Sequence, residues 1–192
     1  MARPRNFDPE LALDAAMHAF WQEGFEAVSI DQLVAVTGAS RHGLYADFGD
    51  KTDMVVKSLA LYEQTVLRDL FKGIQGDGAG LPELRQFFVR MAKVARKSSN
   101  RSGCFMCNAY IELSDIGAVQ AYTVDFFRRV TARFQQVLER AQLAGDLDAS
   151  LDTLSLAHYL VGLIRGISAN ARSQCSDRAY QSYVQIGLIP IT

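Results

Sequence analysis

The feature that most constrains the fold is an apolar periodicity of three and four residues that runs through almost the whole chain. Over residues 8–23, for example, the apolar positions share one helical face: Leu13, Ala16, Met17 and Phe20. No stretch shows the alternation of a half-buried strand. Hydrophobic residues make up 49% of the sequence, which is enough for a sizeable core. The pattern predicts an all-α protein with nine helices.

Two short helices joined by a tight turn follow the first helix. Ser29 and Gln32 have the spacing of a capping box, which starts the second helix. A three-residue turn around Gly38 ends it, and Ser40 can cap a third helix of about two turns. This spacing is that of a helix-turn-helix, whose second helix enters the major groove of DNA.

The start of the third predicted helix carries side chains suited to reading bases. Arg41 can donate two parallel hydrogen bonds to a guanine, and Ser40 and His42 can donate to bases or phosphates. Gly43 would allow the backbone to approach DNA closely. These residues are therefore candidate contacts to an operator.

Flanking residues are candidate contacts to the sugar-phosphate backbone. Tyr45 ends in a hydroxyl group, and Lys51 lies in the first turn of the fourth helix, where free amides favour an anion. Arg3 and Arg5 precede the first helix and could reach the minor groove or the backbone. Taken singly, residues of these types are more often ordinary surface charges or core rings, so the spacing alone leaves DNA binding open.

The charge distribution argues against a simple attraction to DNA. The net charge is −1, and the first fifty residues hold three arginines against eight carboxylates. DNA binding must then depend on where the few cations lie. We expect few phosphate contacts per subunit and a weak dependence of DNA affinity on salt.

Residues 7–55 resemble the DNA-binding domain of the TetR family of bacterial repressors over about fifty consecutive positions without a gap. The landmarks of this resemblance are Gly24-Phe25, Val28-Ser29-Ile30, Thr37-Gly38-Ala39, Leu44-Tyr45, Phe48 and Lys51. The resemblance implies that the third helix is the recognition helix and that Tyr45 and Lys51 contact phosphates. It further implies backbone contacts from Ser29 and Thr37. A homodimer on a palindromic double-stranded operator is then expected.

The sequence divides into a helix-turn-helix domain, residues 1–50, and a sensing and dimerisation domain, residues 51–192. The eighth predicted helix, residues 151–171, is apolar almost all round, so we expect it to be buried on both sides. Together with the ninth helix, residues 177–188, it predicts a symmetric dimer interface, and the family resemblance implies the same arrangement.

The middle helices are expected to enclose a cavity for an unknown small-molecule or electrophilic inducer. The candidate lining residues are Phe88, Met91, Tyr110, Phe126 and His158. Aromatic residues and methionine at helical spacing more often form plain core, and His158 on an apolar helix is more often a hydrogen-bonded core residue. Nothing pairs with His158 at the spacing of a metal site, and no cofactor is expected.

Two cysteines at the start of the sixth predicted helix form a sharper feature. Cys104 and Cys107 are three residues apart, and the start of a helix favours the thiolate, as does Arg101 just upstream. The spacing also allows a local disulfide, whereas a lone buried cysteine more often acts as a small apolar residue. The segment resembles TetR-family members that carry Gly-Cys here and respond to electrophiles or oxidants.

These features together predict a sequence-specific transcriptional regulator, a repressor released by a small molecule or by cysteine modification. Two alternatives stay open: a helical adaptor that does not bind DNA, and a cysteine redox protein. An enzyme is disfavoured because no βαβ core accompanies the cysteine pair. The glycine-rich residues 73–80 also lack the lysine and the strand of a phosphate-binding loop.

The chain has no apolar run near the ~18 residues that a membrane span needs. Its first residues also lack the apolar block of a signal peptide. A cytoplasmic protein without a membrane partner is expected.

Overall fold

The computed structural model describes residues 7–95, 102–173 and 176–191, and over these residues the chain is all-α, as predicted. Nine helices follow one another, and the fourth is continuous through a π-helical turn. Their bounds are α1 Pro9–Glu23, α2 Ile30–Thr37, α3 Arg41–Phe48, α4 Lys51–Tyr62 with the π-helical turn Glu63–Leu67 and the segment Arg68–Gln75, α5 Leu81–Ala95, α6 Phe105–Glu112, α7 Gly117–Ala144, α8 Thr153–Arg172 and α9 Asp177–Gly187. A short 3₁₀ turn, Ile189–Ile191, follows α9.

The predicted caps of the first helices are confirmed. Ser29 and Gln32 form the reciprocal capping box of α2, and Gly38 ends that helix with a left-handed φ of 68°. The Ser40 side chain accepts from the backbone N–H of Gly43 and starts α3. These local bonds satisfy donors that a helix start leaves unpaired, so they fix the turn between α2 and α3.

Helix α4 connects the N-terminal three helices to the rest of the protein. It packs against α1 near its start and against α6 and α7 further along. At the π-helical turn, Glu63 accepts two hydrogen bonds from Arg129 at 2.7 and 3.1 Å and one from the Tyr122 hydroxyl at 2.8 Å. Helix α4 is therefore in direct contact with both the N-terminal helices and the C-terminal bundle.

The C-terminal bundle is filled by aromatic rings from α5 and α7. Phe88 belongs to this core: it is fully buried, and its ring centroid lies 5.1 Å from that of Phe87 and 5.8 Å from that of Phe134. Contrary to the expectation that it lines a cavity, Phe88 lies in this core, and the cavity described below is lined by its neighbour Phe87 and not by Phe88.

The last two helices leave an apolar face uncovered in the single chain. Tyr159 on α8 is 45% exposed and Ile186 on α9 is 65% exposed. The expectation that α8 is buried on both sides is therefore not met within one chain, and a second molecule is needed to cover this face.

No helix in the described part of the chain is both long and apolar enough to cross a membrane.

Candidate DNA-binding surface and ligand cavity

Helix α3 is anchored on one side and open on the other. Leu44 and Phe48 are buried beneath it, whereas Arg41 and His42 are exposed and Tyr45 is 41% exposed. Because the two buried side chains fix the rotation of the helix, its first turn and Tyr45 face outward together. The predicted base-reading residues thus share an accessible surface.

Arg41 is held by a neighbouring helix in the free protein. Its Nη2 atom lies 2.6 Å from the Asp31 carboxylate of α2, and both side chains are largely exposed. Asp31 holds the pKa of Arg41 above its usual value. Such exposed pairs are weak, so Arg41 can exchange Asp31 for another acceptor. The sequence reasoning missed Asp31, which is ten residues away and shares no helical register with Arg41.

The structure shows a contact of Gly43 within the protein, and close approach of DNA at this residue stays a prediction. A Cβ atom at this position would lie 2.8 Å from the ring of Phe7, the first residue described before α1. The absence of a side chain at Gly43 thus lets the Phe7 ring pack closely against α3. Arg3 and Arg5, the other predicted contacts from this end, lie outside the described residues.

The side chains of Ser29 and Thr37 both form hydrogen bonds with nearby backbone groups. The Ser29 side chain accepts from the Gln32 backbone at 3.1 Å. The Thr37 hydroxyl donates to the Leu33 carbonyl at 2.6 Å and accepts from the Ala39 N–H at 3.2 Å. A phosphate contact from either residue remains a prediction.

Lys51 lies at the start of α4, as predicted. Its Nζ atom stands 4.3 Å above the centroid of the Phe25 ring, which limits the directions that the amine can take. A second lysine, Lys57, was not predicted to matter, and its amine donates to the Phe48 carbonyl at 3.0 Å. Lys57 thus caps the end of α3 and helps to hold the exposed helix in place.

A cavity of about 390 Å³ lies between α1 and the helices α4 to α8. Of the predicted lining residues, Met91 and Phe126 line it, as do Cys104 and Cys107. Its wall is rich in rings: Trp21, Tyr62, Phe71, Phe87, Phe126 and Phe127. This size and apolar wall are typical of a small-molecule site.

Tyr110 and His158 lie elsewhere, contrary to the prediction that they line the cavity. Both line an outer groove between α7 and α8, together with Arg165. The Arg165 guanidinium lies 4.2 Å from the centroid of the Tyr110 ring, and it also stacks on Phe127. Because this stack occupies the space between the helices, Tyr110 is turned away from the cavity, and His158 is an exposed surface residue rather than a core residue.

The cysteine pair occupies the start of α6. Cys104 is the N-cap residue, and Cys107 lies in the first turn. A hydrogen bond from Cys107 lowers the pKa of Cys104 to about 7, with further contributions from Tyr62 and from backbone amides of the turn. The same hydrogen bond and burial raise the pKa of Cys107 above its ordinary value. The thiolate is therefore favoured at Cys104 rather than at Cys107, which donates the hydrogen bond.

The segment before α6 is tied directly to the first helix. The Trp21 indole N–H of α1 donates to the Gly103 carbonyl at 2.9 Å in a buried hydrogen bond. The next residue, Cys104, donates its N–H to the Ser168 hydroxyl of α8 at 2.8 Å. Sequence reasoning did not pair Trp21 with this segment, since 82 positions separate it from Gly103. The backbone at Gly103 and Cys104 thus links α1 to α8 at the edge of the cavity.

Comparisons with known proteins agree with this architecture. Residues 12–57 match the family described as "Bacterial regulatory proteins, tetR family", and residues 80–186 match "Tetracyclin repressor-like, C-terminal domain". The chain is 32% identical over 182 residues to the HTH-type transcriptional repressor ComR of Escherichia coli (strain K12), an alignment that covers 91% of this chain and 84% of ComR.

Solved structures share the fold at lower identity. A cysteine mutant of the TetR-family transcriptional regulator CifR, solved with 26-bp operator DNA, is 24% identical, with a TM-score of 0.84 over 97% of this chain and 98% of that one. The reduced form of Escherichia coli NemR is 19% identical, with a TM-score of 0.80 over 93% of each chain. From the two family matches and the ComR identity we conclude that the chain belongs to the TetR family of bacterial regulatory proteins.

Proposed function

We propose that this protein is a transcriptional repressor that binds a palindromic operator as a homodimer and leaves it when the cavity is occupied or Cys104 is modified. Residues 1–50 would bind DNA, and residues 51–192 would dimerise and sense the signal. The protein would act in the cytoplasm, because the bacterial chromosome that it would bind lies there. Its family consists of regulators, not of enzymes.

The observation that carries the proposal is the exposed first turn of α3. Arg41, His42 and Tyr45 face outward from a helix whose opposite side is buried, and Lys51 follows at the start of α4. An adaptor that does not bind DNA would have no need for a short, rigidly capped helix that presents these side chains. CifR, which shares the fold, is known with bound operator DNA.

The proposed release depends on the position of the cavity between the two domains. Trp21 and Tyr62 line it, and they belong to α1 and α4, the helices against which α2 and α3 pack. Their rings pack edge to face, with centroids 4.9 Å apart. A ligand or an adduct that displaces these rings would move α1 and α4 and change the distance between the two α3 helices of a dimer. Two rigidly held α3 helices can contact successive major grooves only if this distance changes little.

Fluorescence anisotropy with the DNA upstream of the protein's own reading frame tests the proposal. We expect saturable binding with two chains per site, much tighter than binding to a scrambled duplex of the same length. Because the surface carries few cations, the slope of log affinity against log salt should be shallow. Equal affinity for the upstream and scrambled duplexes would contradict sequence-specific binding.

The pKa of Cys104 predicts how its alkylation depends on pH. Because the pKa of Cys104 is lowered to about 7, more of Cys104 is thiolate at neutral pH than of an ordinary thiol, which is mostly protonated there. Because the pKa is lowered, the reaction with iodoacetamide should already be fast at neutral pH and should slow as the pH falls through about 7. We expect the alkylated protein to lose operator affinity.

Variants of Cys104 and Cys107, made in a background in which the third cysteine of the sequence is replaced, Cys175→Ser, separate the role of the reacting thiol from that of its hydrogen-bond donor. Cys104→Ser should abolish the fast alkylation and keep operator affinity, since no DNA contact is removed. Cys107→Ala removes the hydrogen bond that lowers the pKa of Cys104, so the alkylation profile should shift to higher pH. Unchanged operator release by iodoacetamide in Cys104→Ser would rule out Cys104 as the sensor.

A further inference from the structure

The cavity wall contains a cation without a counterion. Arg90 of α5 lines the cavity, and no carboxylate of the described residues forms an ion pair with it. Its Nε and Nη2 atoms are buried and make no hydrogen bond in the described part of the chain. Arg90 as a whole is half-buried, but leaving two guanidinium nitrogens buried and without a partner is still costly, so a natural sequence retains such a group when something compensates its charge.

The neighbouring helix is shaped to hold this guanidinium. A Cβ atom at Gly73 of α4 would lie 2.6 Å from Nη2 of Arg90, so the guanidinium in its present position lies directly against the α4 backbone, and a side chain at position 73 would make it shift.

The other charges at the cavity do not neutralise Arg90. Asp69 also lines the cavity, but its side chain is 75% exposed and pairs with Arg68 at 3.5 Å. Lys93, one turn beyond Arg90 on α5, adds a second positive charge at the wall. The rest of the wall is mainly apolar and includes six aromatic rings, among them Phe71 and Phe87, whose centroids lie 4.8 Å apart.

We infer that the cavity binds an aromatic monocarboxylate, whose carboxylate offsets the charge of Arg90 and whose rings pack among the aromatic residues of the wall. The inference names the ligand class for the release step of the proposed function and rests on that function for its regulatory meaning. A neutral aromatic compound would fill the same space but leave the guanidinium uncompensated.

Calorimetry with the full chain and no DNA tests the inference with two probes of nearly equal shape, 2-naphthoate and 2-naphthamide. We expect the carboxylate to bind about tenfold to a hundredfold more tightly than the amide, as for other ligands that meet a charged partner. In Arg90→Gln the two probes should bind with nearly equal affinity. Gly73→Ala should reduce the preference by displacing the guanidinium.

Arg68→Gln is the matched control, because it removes an exposed arginine nearby that does not line the cavity, and it should keep the preference. Thermal unfolding tests whether the variants fold: Arg90→Gln should be at least as stable as the parent, since it removes an unpaired charge, and a large loss of stability would assign Arg90 to the core instead. Equal binding of both probes to the parent, or no binding of 2-naphthoate, would overturn the inference. Adding 2-naphthoate to the operator complex is a separate readout: binding without release would refute the release mechanism and leave the ligand class standing.

Discussion

Replacing Arg41, Tyr45 and Lys51 together with alanine is expected to weaken operator binding at least about a hundredfold. In a dimer the change removes six side chains, which we assign to one base contact and two phosphate contacts in each subunit. None of the three side chains is buried, so the fold should survive. Fluorescence anisotropy with the operator and a scrambled duplex, at several salt concentrations, measures the loss.

The single variants should differ in a way that separates reading from positioning. Arg41→Ala should reduce the preference for the operator over the scrambled duplex, because a base contact carries sequence information. Lys51→Ala should weaken binding to both duplexes, because a phosphate contact carries no sequence information. It should also make the salt dependence shallower, because one phosphate contact fewer is made per subunit. The same outcome for both would mean that Arg41 does not contact a base.

Asp31→Asn is the complementary variant. It releases Arg41 from its partner and removes a negative charge from the surface that approaches DNA. Affinity for both duplexes should rise. If the triple alanine variant binds the operator as tightly as the parent while its helix content and dimer mass are unchanged, α3 is not the recognition helix.

Local signals explain why the N-terminal domain could be predicted closely from the sequence. The caps at Ser29, Ser40 and Asp50 each depend on a residue and a backbone group three positions apart. Such interactions can be predicted from a few consecutive residues, because both partners lie within the same short segment. The turn at Gly38 likewise needs only one residue that tolerates a positive φ.

The cavity could be predicted only in part, because it is defined by packing between distant segments. The apolar stripe of α5 indicates which face points inward, but it does not show that Phe88 meets other rings while Met91 meets the cavity. Trp21 reaches the cavity from a helix that is remote in sequence. Arg90 did leave a signal: it lies three residues after Phe87 and four before Val94, at an inward position of the stripe. A charge at an inward position is as informative about a site as the rings around it.

The uncovered face of α8 and α9 gives a sharp test of the dimer. Around Gly162 a Cβ atom would meet nothing within 4 Å in the single chain, although exposed Tyr159, Tyr183 and Ile186 surround the groove. An arginine at position 162 is therefore harmless to the monomer, and it should even favour the helix by about 1 kcal/mol. It clashes only if a second molecule covers the groove.

We expect Gly162→Arg to shift the protein from a dimer to a monomer of about 21.2 kDa by light scattering, with unchanged helix content. Operator affinity should fall at least about a hundredfold, because two unlinked reading heads no longer raise each other's effective concentration on the two half-sites. Gly117→Arg is the matched control, since a side chain at that position of α7 also meets nothing within 4 Å. It should leave both the mass and the affinity unchanged. A Gly162→Arg protein that stays dimeric would place the interface on another face, and with it the geometry by which a ligand between α1 and α4 could separate the two α3 helices.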